Sequence, residues 1–264
     1  MIKIQASVSK GWLNKNAGFS FDQEYYLNPM FRLEEDRKIN AYLRKRFPEF
    51  PLYNMEDNLM QAEYYNENLV QVGAIQPNMI LAVMLGAKFS FYGDQDADVK
   101  GYPLLDITDV SALPSIDDLI NHPFIQDLTK EILDIQQSRP DLTVIPPFFW
   151  DLSGRATIHG IITTSLKLVG ENIMTMLMLD PDLAHAIHLW ITEAYIKIIS
   201  YFSELTKLPV TSIHIGECSG TMLSSDLYEE FVVPYLSILG DKLGKVRIHS
   251  CGKTDHLIEC LSKI

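Results

Sequence analysis

The tetrapeptide His249-Ser250-Cys251-Gly252 places two side chains with metal-binding chemistry at the end of a strand-like stretch. Side chains of an extended strand alternate between its faces, so the His249 imidazole and the Cys251 thiol point the same way, about 6–7 Å apart at the backbone. An imidazole beside a thiolate suits a soft divalent metal, above all zinc. The same spacing also fits a histidine and a cysteine that only pack in the core, so the surrounding elements must decide between the two interpretations.

Glu217 and Cys218 follow the preceding predicted strand, at residues 212–215. If the two strands are neighbours in a parallel sheet, their carboxyl ends meet at one edge and bring these side chains to His249 and Cys251. A catalytic zinc takes about three protein ligands and keeps one open position. We therefore expect His249 and Cys251 to be two ligands and either Glu217 or Cys218 to be the third. Glu217 is also the candidate catalytic residue, holding the open position or orienting the substrate, unless it is an ordinary acid at the rim.

The elements that position these residues alternate between strands and helices from residue 142 onward. Strands are predicted at 143–149, 212–215 and 246–250, helices at 157–168, 181–205, 226–239 and from Thr254, and earlier amphipathic helices at 30–47 and 56–70. This alternation predicts an α/β fold of parallel βαβ units that collects ligands at the carboxyl ends of its strands. Arg155, near another predicted strand end, either clamps an anionic substrate or forms a salt bridge within its loop.

The composition narrows the class of protein. The chain has 264 residues, 47% hydrophobic and 21% charged, as in a globular enzyme, and we expect a single domain over residues 1–264. Its formal net charge of −12 argues against a nucleic-acid partner, because phosphate binding needs a basic face. The three cysteines are too few for a disulfide framework and indicate a reducing compartment. No apolar run has the length of a signal peptide or a membrane span, so we expect a cytoplasmic protein without membrane contact.

The segment His249-Ser250-Cys251-Gly252-Lys253-Thr254 and the residues from Gly220 to Tyr235 resemble the uroporphyrinogen decarboxylase superfamily. More narrowly, the chain resembles its branch of zinc-dependent methylcobamide:thiol (coenzyme M type) methyltransferases, and the likeness covers most of the chain. The resemblance implies a (β/α)8 TIM-type barrel with N-terminal helices, and a zinc held by His249 and Cys251. It also implies methyl transfer between a corrinoid (cobalamin) cofactor carried on a partner protein and a small thiol. The reverse direction, from a small methyl donor to the corrinoid, stays open.

The chain departs from that branch at the third metal ligand. In those methyltransferases this ligand is a cysteine far downstream, whereas the present sequence ends 13 residues after Cys251. Cys260 is expected to pack inside the fold instead. By the same count we expect an incomplete barrel lacking about its last two strands, which an oligomer partner or a second subunit would complete. The alternative function is accordingly a non-catalytic or truncated barrel that serves as a subunit or scaffold.

A lyase of the uroporphyrinogen decarboxylase type, acting in tetrapyrrole metabolism, is the second alternative. That activity is associated with an arginine-rich segment near the N-terminus, but residues 4–12 contain Lys10 and no arginine. Residues 77–79, near the position expected for a catalytic aspartate, contain no acid. Since a strongly anionic substrate needs several cationic partners, the sequence favours methyl transfer over the lyase reaction.

Overall fold

A computed structural model describes residues 6–49, 52–53 and 68–264 of the chain. The helices in these residues are α1 (Lys10–Ala17), α2 (Gln23–Leu27), α3 (Pro29–Arg46), α4 (Pro77–Met84), α5 (Pro123–Ser138), α6 (Ile161–Val169), α7 (Asn172–Leu179), α8 (Pro181–Thr206), α9 (Ser225–Phe231), α10 (Val233–Leu243) and α11 (Ile258–Leu261). The strands are β1 (Ala6–Ser7), β2 (Leu52–Tyr53), β3 (Leu69–Gln71), β4 (Lys88–Ser90), β5 (Asp98–Lys100), β6 (Thr143–Ile145), β7 (Arg155–His159), β8 (Ser212–Gly216) and β9 (Lys245–His249). Short 3₁₀ helices cover Val110–Ala112, Ile116–Asn121, Ser219–Met222 and Asp255–Leu257.

The sheets are mostly parallel. Strands β7, β8 and β9 form a three-stranded parallel sheet with β8 in the centre, β3 pairs with β6 and β1 with β2, and β4 and β5 form an antiparallel pair. The predicted α/β class and the alternation of parallel strands with helices are confirmed. The expected barrel is not confirmed, because the described strands lie in separate open sheets that do not close on themselves.

Most predicted elements around the site are present with small shifts of their ends, and the strand predicted at 143–149 ends earlier, at Ile145. Three further predictions are wrong or untested. The helix predicted at 226–239 is two helices, α9 and α10, because Pro234 has no N–H to donate and the chain breaks at Val232. The helix predicted at 56–70 is untested over residues 56–67, which lie outside the described residues. Its last two residues, 69 and 70, belong to strand β3 instead.

The third correction concerns the helix predicted at 157–168. Strand β7 occupies Arg155–His159, and α6 begins only at Ile161, after Gly160 in an extended conformation. Burial alternates along β7, which is the period of two expected for a strand with one covered face. The predicted helix extended across this glycine and therefore assigned residues 157–159 to a helix instead of a strand.

The three-stranded sheet has one apolar and one polar face. On the apolar face Ala156, Ile158, Ile213 and Ile215 are buried, and α10 packs against β8 and β9. A Cβ at Gly240 of α10 would lie 3.0 Å from Cγ2 of Val246, so a glycine suits the close helix–strand contact. The opposite side, called the polar face below, comprises Arg155, Thr157, His159, Ser212, His214, Gly216, Lys245, Arg247 and His249.

Helix α8 is the longest helix and begins where the Asp180 side chain accepts the N–H of Leu183. Its residue His188 is fully buried. The His188 Nδ1 atom lies 3.0 Å from the Phe231 carbonyl oxygen, and its ring packs edge-on against Phe231 and Tyr235. Burial lowers the pKa of His188 to about 3. No helix of the described residues combines the length and apolar character needed to cross a membrane.

The buried imidazole of His188 predicts an acid-sensitive fold. The unfolded chain protonates this group below about pH 6.5 and the folded chain does not, so the free energy of unfolding should fall between pH 7 and pH 5. One pKa unit corresponds to about 1.4 kcal/mol, so this component reaches about 2 kcal/mol at pH 5. In urea denaturation, the His188→Gln variant should not show this pH-dependent part of the free energy of unfolding. Thr192→Ala, which loses the hydroxyl bonded to the His188 carbonyl but keeps the imidazole, should retain it. The same pH dependence in wild type and H188Q would contradict the prediction.

Candidate metal centre

The predicted metal ligands lie at the carboxyl ends of β8 and β9. In the register of this pair Gly216 lies opposite His249, and the Glu217 N–H donates to the His249 carbonyl at 2.9 Å. Cys218 follows on one strand and Cys251 on the other. The ligand atoms of Cys218, His249 and Cys251 all lie within 4.8 Å of one another. The pairing of the two strands thus brings together a cluster of two thiols and one imidazole.

The donor set of this cluster fits zinc. Two cysteines and one histidine are a ligand set of catalytic zinc sites, in which substrate or water takes the fourth position. The His249 Nε2 atom lies 3.3 Å from the Cys251 sulfur. Ligand atoms around tetrahedral zinc are separated by about 3.5–3.8 Å, so shifts of about 1 Å or less would bring these three atoms, which lie within 4.8 Å of one another, to that separation. Because His249 and Cys251 are exposed and Cys218 is half-buried, a small molecule can reach the fourth position.

Two hydrogen bonds hold the peptide group that joins Cys218 to Ser219. The Ser219 N–H donates to the Thr163 hydroxyl oxygen at 3.1 Å, and the Thr221 hydroxyl donates to the Cys218 carbonyl at 2.9 Å. Burial, followed by a hydrogen bond with the Cys251 thiol, raises the pKa of Cys218. A bound Zn²⁺ acts in the opposite direction, because its charge favours the thiolate.

Glu217 is not part of the cluster. Its carboxylate accepts the backbone N–H groups of Ile162 and Thr163, each at 3.1 Å, and the Thr163 hydroxyl at 2.9 Å. It therefore caps the N-terminus of α6, whose own N-cap residue, Gly160, has no side chain. The Glu217 side chain is 1% exposed; burial raises its pKa to about 7, and the hydrogen bonds from Thr163 oppose that shift. These contacts favour a positioning role, and the direct catalytic role of Glu217 stays a prediction.

Two glycines leave the space that the Glu217 side chain occupies. A Cβ at Gly160 would lie 2.1 Å from the Glu217 Oε2 atom. A Cβ at Gly220 would lie 3.0 Å from the Glu217 Cγ atom and 2.6 Å from a ring carbon of Tyr228. Residues larger than glycine therefore do not fit at 160 or 220 while the Glu217 side chain lies between them.

Other candidate residues resolve differently. Arg155 forms a 2.8 Å salt bridge with the buried carboxylate of Asp151. Of its two predicted roles, a clamp for an anionic substrate or a salt bridge within the loop, the structure shows the salt bridge. Cys260 is buried, with its sulfur 3.5 Å from the Ser225 carbonyl oxygen. Sequence reasoning missed His159 on the polar face, because it fell within the wrongly predicted start of the helix, and the alternating residues that precede Gly160 are the signal that would have found it. It also missed Thr163, which lies in α6 as predicted but whose contact with Glu217 depends on the tertiary structure.

The sequence matches the family model described as "Uroporphyrinogen decarboxylase (URO-D)" over residues 74–264. The chain therefore belongs to the uroporphyrinogen decarboxylase family. Membership implies a TIM barrel, of which the described residues show parallel strands and helices without closure. No match to the sequence was found among the curated proteins.

The fold is similar to the solved structure of a methyltransferase from Methanosarcina mazei, with a TM-score of 0.59 and 15% sequence identity. The match covers 97% of this chain and 66% of the methyltransferase chain. The chain thus spans slightly less than two thirds of the length of that structure. At this identity the likeness establishes the fold alone.

Replacing Cys218 tests the composition of the cluster. We expect Cys218→Ser to weaken zinc binding by at least about 10-fold, because a hydroxyl replaces a thiolate ligand. Cys260→Ser is the matched control and should keep the affinity of the wild type, since Cys260 lies outside the cluster. Competition with a chromophoric chelator measures both constants. An unchanged affinity in C218S would show that His249 and Cys251 bind zinc without Cys218.

Replacing Glu217 tests its role as a cap of α6. We expect Glu217→Gln to lower the free energy of unfolding by about 1–3 kcal/mol, because the amide NH₂ group cannot accept hydrogen bonds from buried N–H groups. Glu229→Gln changes an exposed carboxylate that pairs with Lys263 and should have a much smaller effect. Chemical denaturation of the two variants makes the comparison. Equal losses in both variants would contradict the capping role.

Proposed function

We propose that this protein is a zinc-dependent methyltransferase that moves a methyl group between a corrinoid on a partner protein and a small thiol. The observation that carries the proposal is the cluster of Cys218, His249 and Cys251 at the carboxyl ends of neighbouring parallel strands. This edge is where enzymes with such folds place their catalytic groups. Membership of the uroporphyrinogen decarboxylase family and the methyltransferase named among similar structures support the same reaction class.

The chemistry of the reaction explains why these ligands are suitable. When bound, zinc lowers the pKa of a substrate thiol and so supplies a thiolate nucleophile at neutral pH. The protein contributes three ligands and leaves the fourth position for that sulfur. Glu217 and Thr163 fix the loop that carries Cys218, because the Thr163 hydroxyl contacts both the Glu217 carboxylate and the Ser219 N–H. We assign Glu217 to this positioning task.

The corrinoid protein is proposed to dock over the exposed side of the cluster. His249 and Cys251 are exposed, and so is the apolar side chain of Met222, four residues after Cys218. An exposed metal position allows a cofactor held by a second protein to approach the substrate sulfur. The exposed Met222 side chain can add an apolar contact to that docking.

Methyl transfer is tested with methylcobalamin and a panel of small thiols. The zinc-loaded protein should demethylate methylcobalamin in the presence of one of these thiols, which the change in the cobalamin absorbance reports. Cys251→Ser should reduce the rate at least about 100-fold, because the metal position is lost. Cys260→Ser should react like the wild type.

The outcome that would contradict the proposal is a zinc-loaded protein that is inactive with every thiol and with methylated amines tested in the reverse direction. A barrel that binds zinc without transferring methyl groups would correspond to the alternative role as a subunit or scaffold. A rate that is the same in C251S and the wild type would exclude the cluster from the reaction.

A further inference from the structure

Cys218 and Cys251 are two free thiols at the ends of neighbouring strands. Gly216 and His249 form the last register pair of β8 and β9, and each cysteine follows two residues later along its own segment. The Glu217 N–H donates to the His249 carbonyl at 2.9 Å, so the pairing continues beyond the strand ends. Neighbouring strands lie about 4.8 Å apart, and the Cα atoms that a disulfide joins lie about 4.4–6.8 Å apart. The spacing of the two strand ends therefore falls within the range that a disulfide spans.

The two sulfur atoms are close enough to bond after a rotation of one side chain. They lie within 4.8 Å of each other. The sulfurs of a disulfide are about 2.05 Å apart, so the remaining gap requires a turn about the Cα–Cβ bond of one cysteine. Cys251 has room for this turn, because it is exposed and is followed by Gly252, where an added Cβ would meet no atom within 4 Å.

The two thiols differ in their access to solvent. Cys251 is exposed and meets a dissolved oxidant first, whereas Cys218 is half-buried. The peptide group after Cys218 is held by its hydrogen bonds to Thr163 and Thr221, so this thiol stays beside its neighbour. An accessible thiol with a second thiol next to it is the arrangement in which oxidation ends in a disulfide. Cys260 does not compete, because its side chain is buried outside the cluster.

We propose that Cys218 and Cys251 form an intramolecular disulfide when zinc is absent and a peroxide reaches the cluster. The Cys251 sulfur attacks one oxygen of hydrogen peroxide and the O–O bond breaks. The product is a sulfenic acid, and the thiol proton leaves with the second oxygen as water. The Cys218 sulfur then attacks the Cys251 sulfur, the S–O bond breaks, and the departing hydroxyl takes the Cys218 proton to form a second water. The peroxide is reduced, and the two thiols are together oxidised by two electrons.

The disulfide and a metal ion exclude each other. Zinc binds thiolates, so the disulfide removes two of the three described ligands. Bound zinc in turn protects the thiols, because it engages the electron pairs with which the sulfurs would attack the peroxide. The disulfide needs only the two thiols, so this inference goes beyond the proposed function. If that function holds, oxidation stops methyl transfer and reduction restores it.

The test oxidises the full chain in two forms, loaded with zinc and freed of zinc by a chelator. Both forms are treated with hydrogen peroxide at neutral pH, and intact mass, free thiols and a peptide map are then measured. We expect the zinc-free protein to lose two of its three free thiols and about 2 Da of mass, with a cross-link between Cys218 and Cys251. The zinc-loaded protein should react at least about 10-fold more slowly. Dithiothreitol should restore all three thiols and the binding of zinc.

Cysteine variants assign the role of each thiol. Cys260→Ser is the matched control and should still form the cross-link, because Cys260 is only 2% exposed and lies outside the cluster. Cys218→Ser should stop at a sulfenic acid on Cys251, which dimedone labels. Cys251→Ser should take up much less of this label, because the remaining thiol of the pair is half-buried.

Several results would overturn the inference. They are an unchanged number of free thiols in the zinc-free protein, a cross-link that contains Cys260, and a disulfide between two chains in place of the intramolecular one. Equal rates of oxidation with and without zinc would overturn it as well.

The two proposals fail separately. A protein that forms the zinc-sensitive cross-link but transfers no methyl group would reject the proposed function and leave the disulfide standing. Zinc-dependent methyl transfer by a protein that forms no cross-link would reject the disulfide and leave the proposed function standing.

Discussion

The in-register parallel pairing of β8 with β9 is the constraint on which the candidate site depends. It sets Gly216 opposite His249, so the two residues after Gly216 run beside the two residues after His249. A shift of one residue would turn every side chain of β9 to the other face and place Arg247 and His249 against α10. Val246 and Ile248, which are partly buried against the core on the apolar face, oppose such a shift, because it would turn them to the polar face. Core packing therefore fixes the geometry of the cluster.

The second level of organisation is the buried carboxylate of Glu217. It joins the end of β8 to the N-terminus of α6 through backbone N–H groups, and the Thr163 hydroxyl extends the link to Ser219. Gly160 and Gly220 leave the space that this arrangement requires. A charged group is costly to bury unless its hydrogen bonds are satisfied, as they are here. The residue next to the candidate ligand Cys218 thus holds the backbone of the site in place.

The candidate ligands of the site could be predicted from the sequence, but part of their surroundings could not. His249 and Cys251 follow from a strand period of two, and the neighbouring strand end supplied Glu217 and Cys218 as alternatives for the third ligand. Only the three-dimensional structure separates them, because adjacent residues of a loop leave in different directions that spacing does not encode. The strand at Arg155–His159 was missed because the predicted helix was extended through Gly160 back to residue 157, although the alternation before this glycine is typical of a strand. That error concealed His159, which ends β7 on the polar face.

Cys218, His249 and Cys251 are proposed to hold one zinc ion together. X-ray absorption at the zinc edge tests this proposal on the full chain, purified under reducing conditions and loaded with one equivalent of zinc. We predict two sulfur neighbours at about 2.3 Å and one imidazole nitrogen at about 2.0 Å, with a further light atom in the open position. In C218S one sulfur neighbour should disappear. A spectrum of the wild type with only nitrogen and oxygen neighbours, or with a sulfur count that C218S leaves unchanged, would contradict the claim.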